Sequence, residues 1–212
     1  ESKAGLWSLV KQFRELSQKI RSSGIAHGDL QHGNILVSTR GIRLIDYDGL
    51  FVPAIAGLGS CELGLRNYQH PLRRSMDYFG PFVDDFSLWL IYTSLLCVAD
   101  RPPIWDMLKK EQALILSEQD LKDPLNSETF KVMFEAGDSG VKSLVSFLVQ
   151  ICLQTSLKKI PRFDPDLILK KKPVAVHKNG QTRLREETHS TSLSSKWLDD
   201  HLYTSAADGN IS

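Results

Sequence analysis

The sequence predicts a mainly α-helical fold that carries one small β-hairpin. Apolar residues recur every three or four positions across residues 5–20, which is typical of an amphipathic helix. A nearly continuous apolar run over residues 86–99 follows two acidic residues and predicts a helix buried in the middle of the domain. Two short apolar runs, residues 34–37 and 42–45, are separated by Ser-Thr-Arg-Gly and predict the hairpin.

The remaining elements follow the hairpin in chain order. From residue 48 to about residue 79 the chain is rich in Gly and Pro and has little periodicity, which predicts a long ordered loop. Loops of this length usually serve function. Helical spacing then predicts three further helices, at about residues 104–116, 127–135 and 140–153. We expect the domain to span residues 1–165 and residues 166–212 to form a polar, loosely ordered tail.

The composition excludes several classes of protein. With 212 residues, of which 42% are hydrophobic, the chain can bury a core, and 26 basic against 25 acidic residues give no field that favours nucleic acid. Cys61, Cys97 and Cys152 lack the paired spacing of a zinc or disulfide framework and suit a reducing compartment, so we expect a cytoplasmic protein. The longest apolar run falls short of the ~20 residues that a membrane-spanning helix requires. We therefore predict no nucleic-acid partner and no membrane span, and the oligomeric state stays open.

The residues between His27 and Asp48 are the candidates for a phosphoryl-transfer site. A phosphoryl-transfer site needs an acceptor for the proton of the attacking hydroxyl, together with oxygen ligands that hold Mg²⁺ against nucleotide phosphates. Asp29 supplies the acceptor, and the amide oxygen of Asn34, five residues later across a tight loop, can turn back toward the same cleft. The hairpin then returns the chain so that Asp46 faces this metal, with Asp48 as a second candidate ligand.

This segment resembles the eukaryotic-like protein kinase superfamily, and bacterial kinase-like proteins spelled His-Gly-Asp-Leu-Gln-His-Gly-Asn look closest. The family's catalytic loop is His-Arg-Asp-Leu-x-x-x-x-Asn, and its metal motif is Asp-Phe-Gly after a hairpin. The resemblance implies that Asp29 positions the substrate hydroxyl and that His27 braces the loop. It also implies that Asn34 and Asp46 bind Mg²⁺ and, through it, ATP, and that a protein or peptide is the substrate.

Downstream segments match the same family in the correct order, over roughly residues 5–165. The segment Tyr68-Gln69-His70-Pro71 resembles Ala-Pro-Glu, Asp84-Asp85-Phe86-Ser87-Leu88 resembles the start of the central lobe helix, and Arg162 falls at the last family Arg. The resemblance implies that Asp84 bonds the catalytic-loop backbone, whereas a helix N-cap is the alternative role for this residue. The fold implied is the C-terminal lobe of a kinase. The Gly-rich loop and strand Lys of the N-terminal lobe would precede Glu1, so we expect this fragment alone to be inactive.

Three functions remain open at this point. The first is an ATP- and Mg²⁺-dependent protein Ser/Thr kinase. The His-Gly-Asp spelling is also similar to aminoglycoside and choline phosphotransferases, and the departures Gly28 for Arg, Gln31 for Lys and Leu72 for Glu leave room for a non-catalytic scaffold. A capped turn followed by a hairpin would explain the Asp and Asn residues without any chemistry. For His32 and His70, contacts with solvent or within loops are favoured over zinc binding.

Overall fold

Seven α-helices and one two-stranded sheet make up the part of the chain that the computed structural model describes, which is residues 2–60, 62–76 and 78–169. The helices are α1 (Lys3–Ser22), α2 (Asp85–Asp100), α3 (Pro103–Leu108), α4 (Glu118–Lys122), α5 (Glu128–Ala136), α6 (Ser139–Cys152) and α7 (Asp166–Leu169). The strands are β1 (Ile35–Ser38) and β2 (Gly41–Leu44). The predicted class, mainly helical with a small hairpin, is confirmed.

The core lies around α2, which packs between α1 and α6. Nearly every side chain of α2 is buried, including the polar Ser87 and Thr93, so the prediction of a central buried helix is confirmed. Trp89 satisfies its indole N–H by donating to the carbonyl of Pro161 at 3.0 Å, as a buried Trp requires. Within the described residues, no helix combines the length and the apolar character needed to cross a membrane.

The amphipathic helix α1 forms as its spacing predicts. Ser2 accepts a hydrogen bond from the backbone N–H of Gly5 and thereby caps the N-terminus, while basic residues occupy the last turn. The buried side chains Val10, Phe13 and Ile20 face the core at helical spacing. The outer face of the helix stays in solvent.

The hairpin places the end of β2 beside the start of β1. Its antiparallel register pairs Ile35 with Leu44 and Ser38 with Gly41, so the strands begin and end together. Gly41 occupies the tight turn with φ +108°, a conformation that residues with a Cβ rarely adopt. Because of this register, the chain leaving β2 returns to the residue at which β1 began.

The predicted helix over residues 104–116 is wrong in its second half. α3 ends at Leu108, because Lys109 leaves the helical conformation with ψ 140° and Lys110 then pairs with Ala113 in an isolated bridge. The backbone N–H of Leu114 donates instead to the hydroxyl of Tyr68 at 2.9 Å. In this second half, Ala113, Ile115 and Leu116 are nevertheless buried, without helical structure.

Sequence analysis missed α4 and α7. Ser117 and Asp120 form a capping box at the start of α4, a signal that the Ser-x-x-Asp spelling carries. Helix α7 lies past residue 165, and Asp166 forms an ion pair with Arg14 of α1. The rest of the predicted tail lies outside the described residues.

The long loop after the hairpin is confirmed in residues 48–60, 62–76 and 78–79, which contain short 3₁₀ turns rather than longer elements. These turns are Pro53–Ile55, Arg66–Tyr68 and Pro71–Arg74. The loop begins with a reciprocal pair of backbone hydrogen bonds between Phe51 and Ala26, of 2.8 and 3.1 Å. This pair places the start of the long loop directly beside the segment that leads to His27.

Candidate functional site

The loop that begins at His27 is held by a buried carboxylate at the start of α2. The backbone N–H groups of His27 and Gly28 both donate to Asp84, the second at 2.9 Å. Asp84 is only 3% exposed, and although it stands at the N-cap position, its side chain makes no capping hydrogen bond. Burial raises the pKa of Asp84, and the two N–H donors act against that rise. Asp84 therefore holds the loop and does not cap the helix.

Gly28 is the residue that lets this loop touch the chain beyond the hairpin. Its φ is +82°, and a Cβ built on it would lie 2.0 Å from the carbonyl oxygen of Gly49. Both the backbone conformation and the space therefore require glycine. An Arg at this position, as in the kinase family's spelling, could not be accommodated without moving the backbone.

His27 connects the loop to the end of the hairpin. Its ring is 1% exposed, and Nε2 lies 2.9 Å from the carbonyl oxygen of Ile45. Since a carbonyl oxygen can only accept, Nε2 donates this hydrogen bond. The ring also packs against Tyr47, with centroids 5.6 Å apart. Through these contacts His27 supports residues 45–47, and its ring is buried rather than open to a substrate.

Asp29 and Asn34 lie together, as their spacing predicts. The carboxamide nitrogen of Asn34 donates to the backbone carbonyl of Asp29 at 2.9 Å and to its Oδ2 at 3.2 Å. The side chain of Gln31 donates to the same Oδ2 at 2.8 Å. Asn34 is 7% exposed, whereas Asp29 is half-buried. The amide group of Asn34 thus turns its nitrogen to Asp29 and leaves its oxygen for another partner.

Asp46 follows directly after a residue that is bonded to this pair. The backbone N–H of Ile45 donates to the carbonyl of Asn34 at 3.0 Å, in addition to the contact of Ile45 with His27. Asp46 has φ +64°, the one positive value at a non-glycine position among the described residues. Asp tolerates this conformation better than most residues, yet it still costs about 1–2 kcal/mol. The fold therefore imposes a strained backbone on one of the predicted site residues.

The atoms left free around this loop are of the kind that Mg²⁺ prefers. Oδ1 of Asn34 accepts no hydrogen bond from the described residues, and the exposed carboxylates of Asp46 and Asp48 form no ion pair with them. Mg²⁺ takes oxygen ligands, usually one or two carboxylates, and keeps several waters or substrate phosphates. In residues 2–60, 62–76 and 78–169 no group of three His, Cys, Asp or Glu side chains could hold a metal by itself. The oxygens of Asn34, Asp46 and Asp48 are thus of the ligand type that Mg²⁺ takes.

Two histidines that could suggest zinc are used within loops. The ring of His32 stacks on Tyr68, and Nδ1 lies 2.6 Å from the Tyr68 hydroxyl. His70 lies 2.9 Å from the carbonyl of Ile151 through Nε2 and accepts from the backbone N–H of Leu72 through Nδ1. Burial lowers the pKa of both histidines, which favours the neutral rings that these contacts need. Sequence analysis did not find the contact between His32 and Tyr68.

Arg162 forms an ion pair with a carboxylate at the start of α2. Its guanidinium lies 3.2 Å from Asp85 and over the ring of Phe82. Asp85 also accepts from the backbone N–H of Phe163 at 2.9 Å. Burial raises the pKa of Asp85, while the Phe163 and Arg162 contacts lower it.

No family model matches this chain, and no curated protein matches it either. The functional assignment therefore depends on the contacts of the loop from His27 to Asn34 and of the hairpin that follows it.

Proposed function

We propose that this chain is the C-terminal lobe of a protein-kinase-like phosphotransferase that uses ATP and Mg²⁺ to phosphorylate a Ser or Thr hydroxyl of a protein or peptide. The observation that carries the proposal is the connected set of Asp29, Asn34 and Asp46. The first two are hydrogen-bonded to each other, and Ile45 joins the third to them. The buried carboxylate of Asp84 accepts the N–H groups of His27 and Gly28, the two residues that precede Asp29.

A capped turn followed by a hairpin explains fewer of these features. Such a turn accounts for the hydrogen bond between Asn34 and the Asp29 carbonyl. It gives no reason for a buried carboxylate beneath the loop, because a turn on the surface could satisfy its N–H groups with water. Nor does it require the strained conformation of Asp46. Those costs are reasonable where geometry must be held for chemistry.

In the proposed reaction, Asp29 accepts the proton of the attacking hydroxyl. The hydroxyl oxygen forms a bond to the γ-phosphorus of ATP, the bond from that phosphorus to the bridging oxygen breaks, and ADP leaves with the electron pair. Oδ1 of Asn34 and the carboxylate of Asp46 would hold the Mg²⁺, which neutralises charge on the phosphates when bound.

Cys97 and Cys152 are buried free thiols, which supports our expectation of a cytoplasmic protein.

The direct test is phosphate transfer by the intact protein that contains this chain. With labelled ATP and Mg²⁺, we expect label in a generic protein substrate, and we expect Asp29→Asn to reduce the rate by about 10²–10⁴. Asp46→Asn should raise the requirement for Mg²⁺, whereas Asp48→Asn should not if Asp46 is the ligand. Asp123→Asn is the matched control, because Asp123 is an exposed carboxylate whose oxygens accept hydrogen bonds from Asn126.

Each outcome separates the candidate functions. Equal labelling by the wild type and by Asp29→Asn contradicts the proposal. Label that appears in choline or an aminoglycoside, but not in protein, favours a small-molecule phosphotransferase. Binding of ATP without any transfer favours a scaffold.

A further inference from the structure

The long loop reaches back to the carboxylate of Asp29 through the turn at Gly64 and Leu65. The backbone N–H of Leu65 donates to Oδ1 of Asp29 at 2.8 Å. Gly64 has φ +70°, and a Cβ on it would lie 2.9 Å from the same Oδ1 and 2.5 Å from Nε2 of Gln69. A side chain at position 64 would therefore push the turn away from Asp29, so glycine is what permits the contact.

Other contacts hold this turn in place independently of Asp29. The carbonyl of Gly64 accepts from the guanidinium of Arg74 at 3.3 Å, and the carbonyl of Leu65 accepts from the N–H of Tyr68 at 2.9 Å. Tyr68 is fully buried and is itself bonded to α2, because Ser87 donates to its carbonyl at 2.7 Å. These contacts thus hold the turn that points the Leu65 N–H at Asp29.

The hydrogen bonds divide the two oxygens of Asp29 into different environments. A carboxylate accepts about four hydrogen bonds, two on each oxygen. Oδ2 already accepts two, from Gln31 and Asn34. Oδ1 accepts one, from Leu65, and no other described residue bonds to it. One acceptor position is left on the carboxylate, and it belongs to Oδ1.

We propose that Oδ1 of Asp29 is the atom that receives the acceptor hydroxyl, and that Gln31, Gly64 and Leu65 are positioning residues that reserve it. This inference rests on the proposed function. Gln31 and Asn34 fill Oδ2, so an incoming hydroxyl can donate only to Oδ1. As the new bond to phosphorus forms, the hydroxyl proton moves to Oδ1, while Leu65 keeps the carboxylate from rotating. Gln31, a departure from the family's Lys, gains a specific role in this arrangement.

The kinetic test compares variants of Gln31 in the intact protein. Gln31→Leu has nearly the same size but no donor, so Oδ2 is opened and the hydroxyl can approach the wrong oxygen. We expect kcat to fall about ten- to a hundredfold with little change in the KM for ATP. Gln31→Lys restores a donor to Oδ2 and should recover most of kcat. A merely structural role for Gln31 would not separate Leu from Lys in this way.

A second measurement tests the turn without any assay of activity. In the wild-type chain, the Leu65 amide donates to Asp29 and should exchange slowly with deuterium, and Asp29→Ala should raise that exchange rate. Gly64→Ala should raise it as well, provided that the variant keeps the amide dispersion of a folded chain. If it unfolds, the comparison of wild type with Asp29→Ala decides the point.

The outcomes distinguish this proposal from the function on which it rests. An active wild type whose kcat is unchanged by Gln31→Leu, or a Leu65 amide that ignores Asp29, overturns the positioning role and leaves the phosphotransferase intact. A wild type that transfers no phosphate overturns both.

Discussion

Two adjacent carboxylates at the start of α2 each hold a distant part of the chain, and the two parts differ. Asp84 accepts the backbone N–H groups of His27 and Gly28, at the base of the candidate site. Asp85 accepts the backbone N–H of Phe163 and pairs with Arg162, at the far end of the described domain. Both are nearly fully buried, and burial raises the pKa of each. The same kind of contact thus holds the loop of the candidate site on one side and the segment at Arg162 and Phe163 on the other.

The loop of the candidate site is held by a residue of the core rather than by regular structure of its own. The loop from His27 to Asn34 has only a single 3₁₀ turn of regular structure. Its shape comes from a carboxylate 57 residues away along the chain. Replacing Asp84 should therefore lower both activity and stability, whereas replacing Asp85 should lower stability alone.

Asp84→Ala should produce the largest effect. Two buried backbone N–H groups would lose their acceptor, at about 1–3 kcal/mol each, so we expect a loss of about 2–6 kcal/mol in the free energy of unfolding. Phosphate transfer by the folded fraction should also disappear, because the loop that carries Asp29 is no longer held. Urea unfolding and the labelled-ATP assay measure the two effects. Unchanged activity per folded molecule would show that Asp84 has no role in placing the site.

Gly28→Ala tests the contact between the two chain segments at the site. Left-handed backbone costs about 1–2 kcal/mol for a residue with a Cβ, and overlap with the Gly49 carbonyl adds about 1–3 kcal/mol. We expect a total loss of about 2–5 kcal/mol in stability. Gly57→Ala is the matched control: its φ is +94° but nothing lies within 4 Å of the added Cβ, so only the first cost should appear. Equal losses in both variants would mean that the Gly49 contact is absent.

Asp85→Ala should cost stability alone. One buried N–H, that of Phe163, loses its acceptor, at about 1–3 kcal/mol. Arg162 is half-exposed and can return to water, so its lost ion pair adds little. Thermal unfolding should report the loss, while kcat of the folded enzyme stays at the wild-type value. A fall in kcat as large as that of Asp84→Ala would remove the distinction between the two carboxylates.

Asp120 contrasts with Asp84 and Asp85, because its pKa is lowered whereas theirs are raised. Burial alone would raise that pKa, but hydrogen bonds from Lys110, Ser117 and Ser127 lower it to about 2. A lowered folded pKa means that stability is present above about pH 4 and is lost as the pH falls toward 2, by roughly 2 kcal/mol. Asp120→Asn should flatten this part of the pH profile in urea unfolding. The raised pKa of Asp85 acts oppositely, because its ionisation costs stability as the pH rises above about 4.

Local patterns predicted the elements whose structure depends on local burial. The spacing of Val10, Phe13 and Ile20 is sufficient for α1, and the apolar run of α2 is sufficient for a buried helix. The second half of the helix predicted at 104–116 failed because the hydroxyl of Tyr68, 46 residues away, takes the N–H of Leu114. No periodicity within that segment carries information about a distant hydroxyl.

Sequence spacing predicted one contact within the candidate site and missed others. Spacing and resemblance named Asp29, Asn34 and Asp46, and the first two are in contact. The bonds from Gln31 and Leu65 to Asp29 were not found. The Leu65 contact depends on where a glycine turn returns, 36 residues along the chain, and only tertiary structure determines that.

The most direct test of the account is to locate a divalent cation on the folded chain. Mn²⁺ replaces Mg²⁺ at oxygen sites and broadens the NMR signals of nearby nuclei. In a titration of the chain with Mn²⁺, the side-chain amide of Asn34 and the backbone amide of Asp46 should broaden first and together, and Asp46→Asn should abolish this. Broadening that reaches Asp46 but spares Asn34, or that centres on unrelated surface carboxylates, would contradict a shared magnesium site.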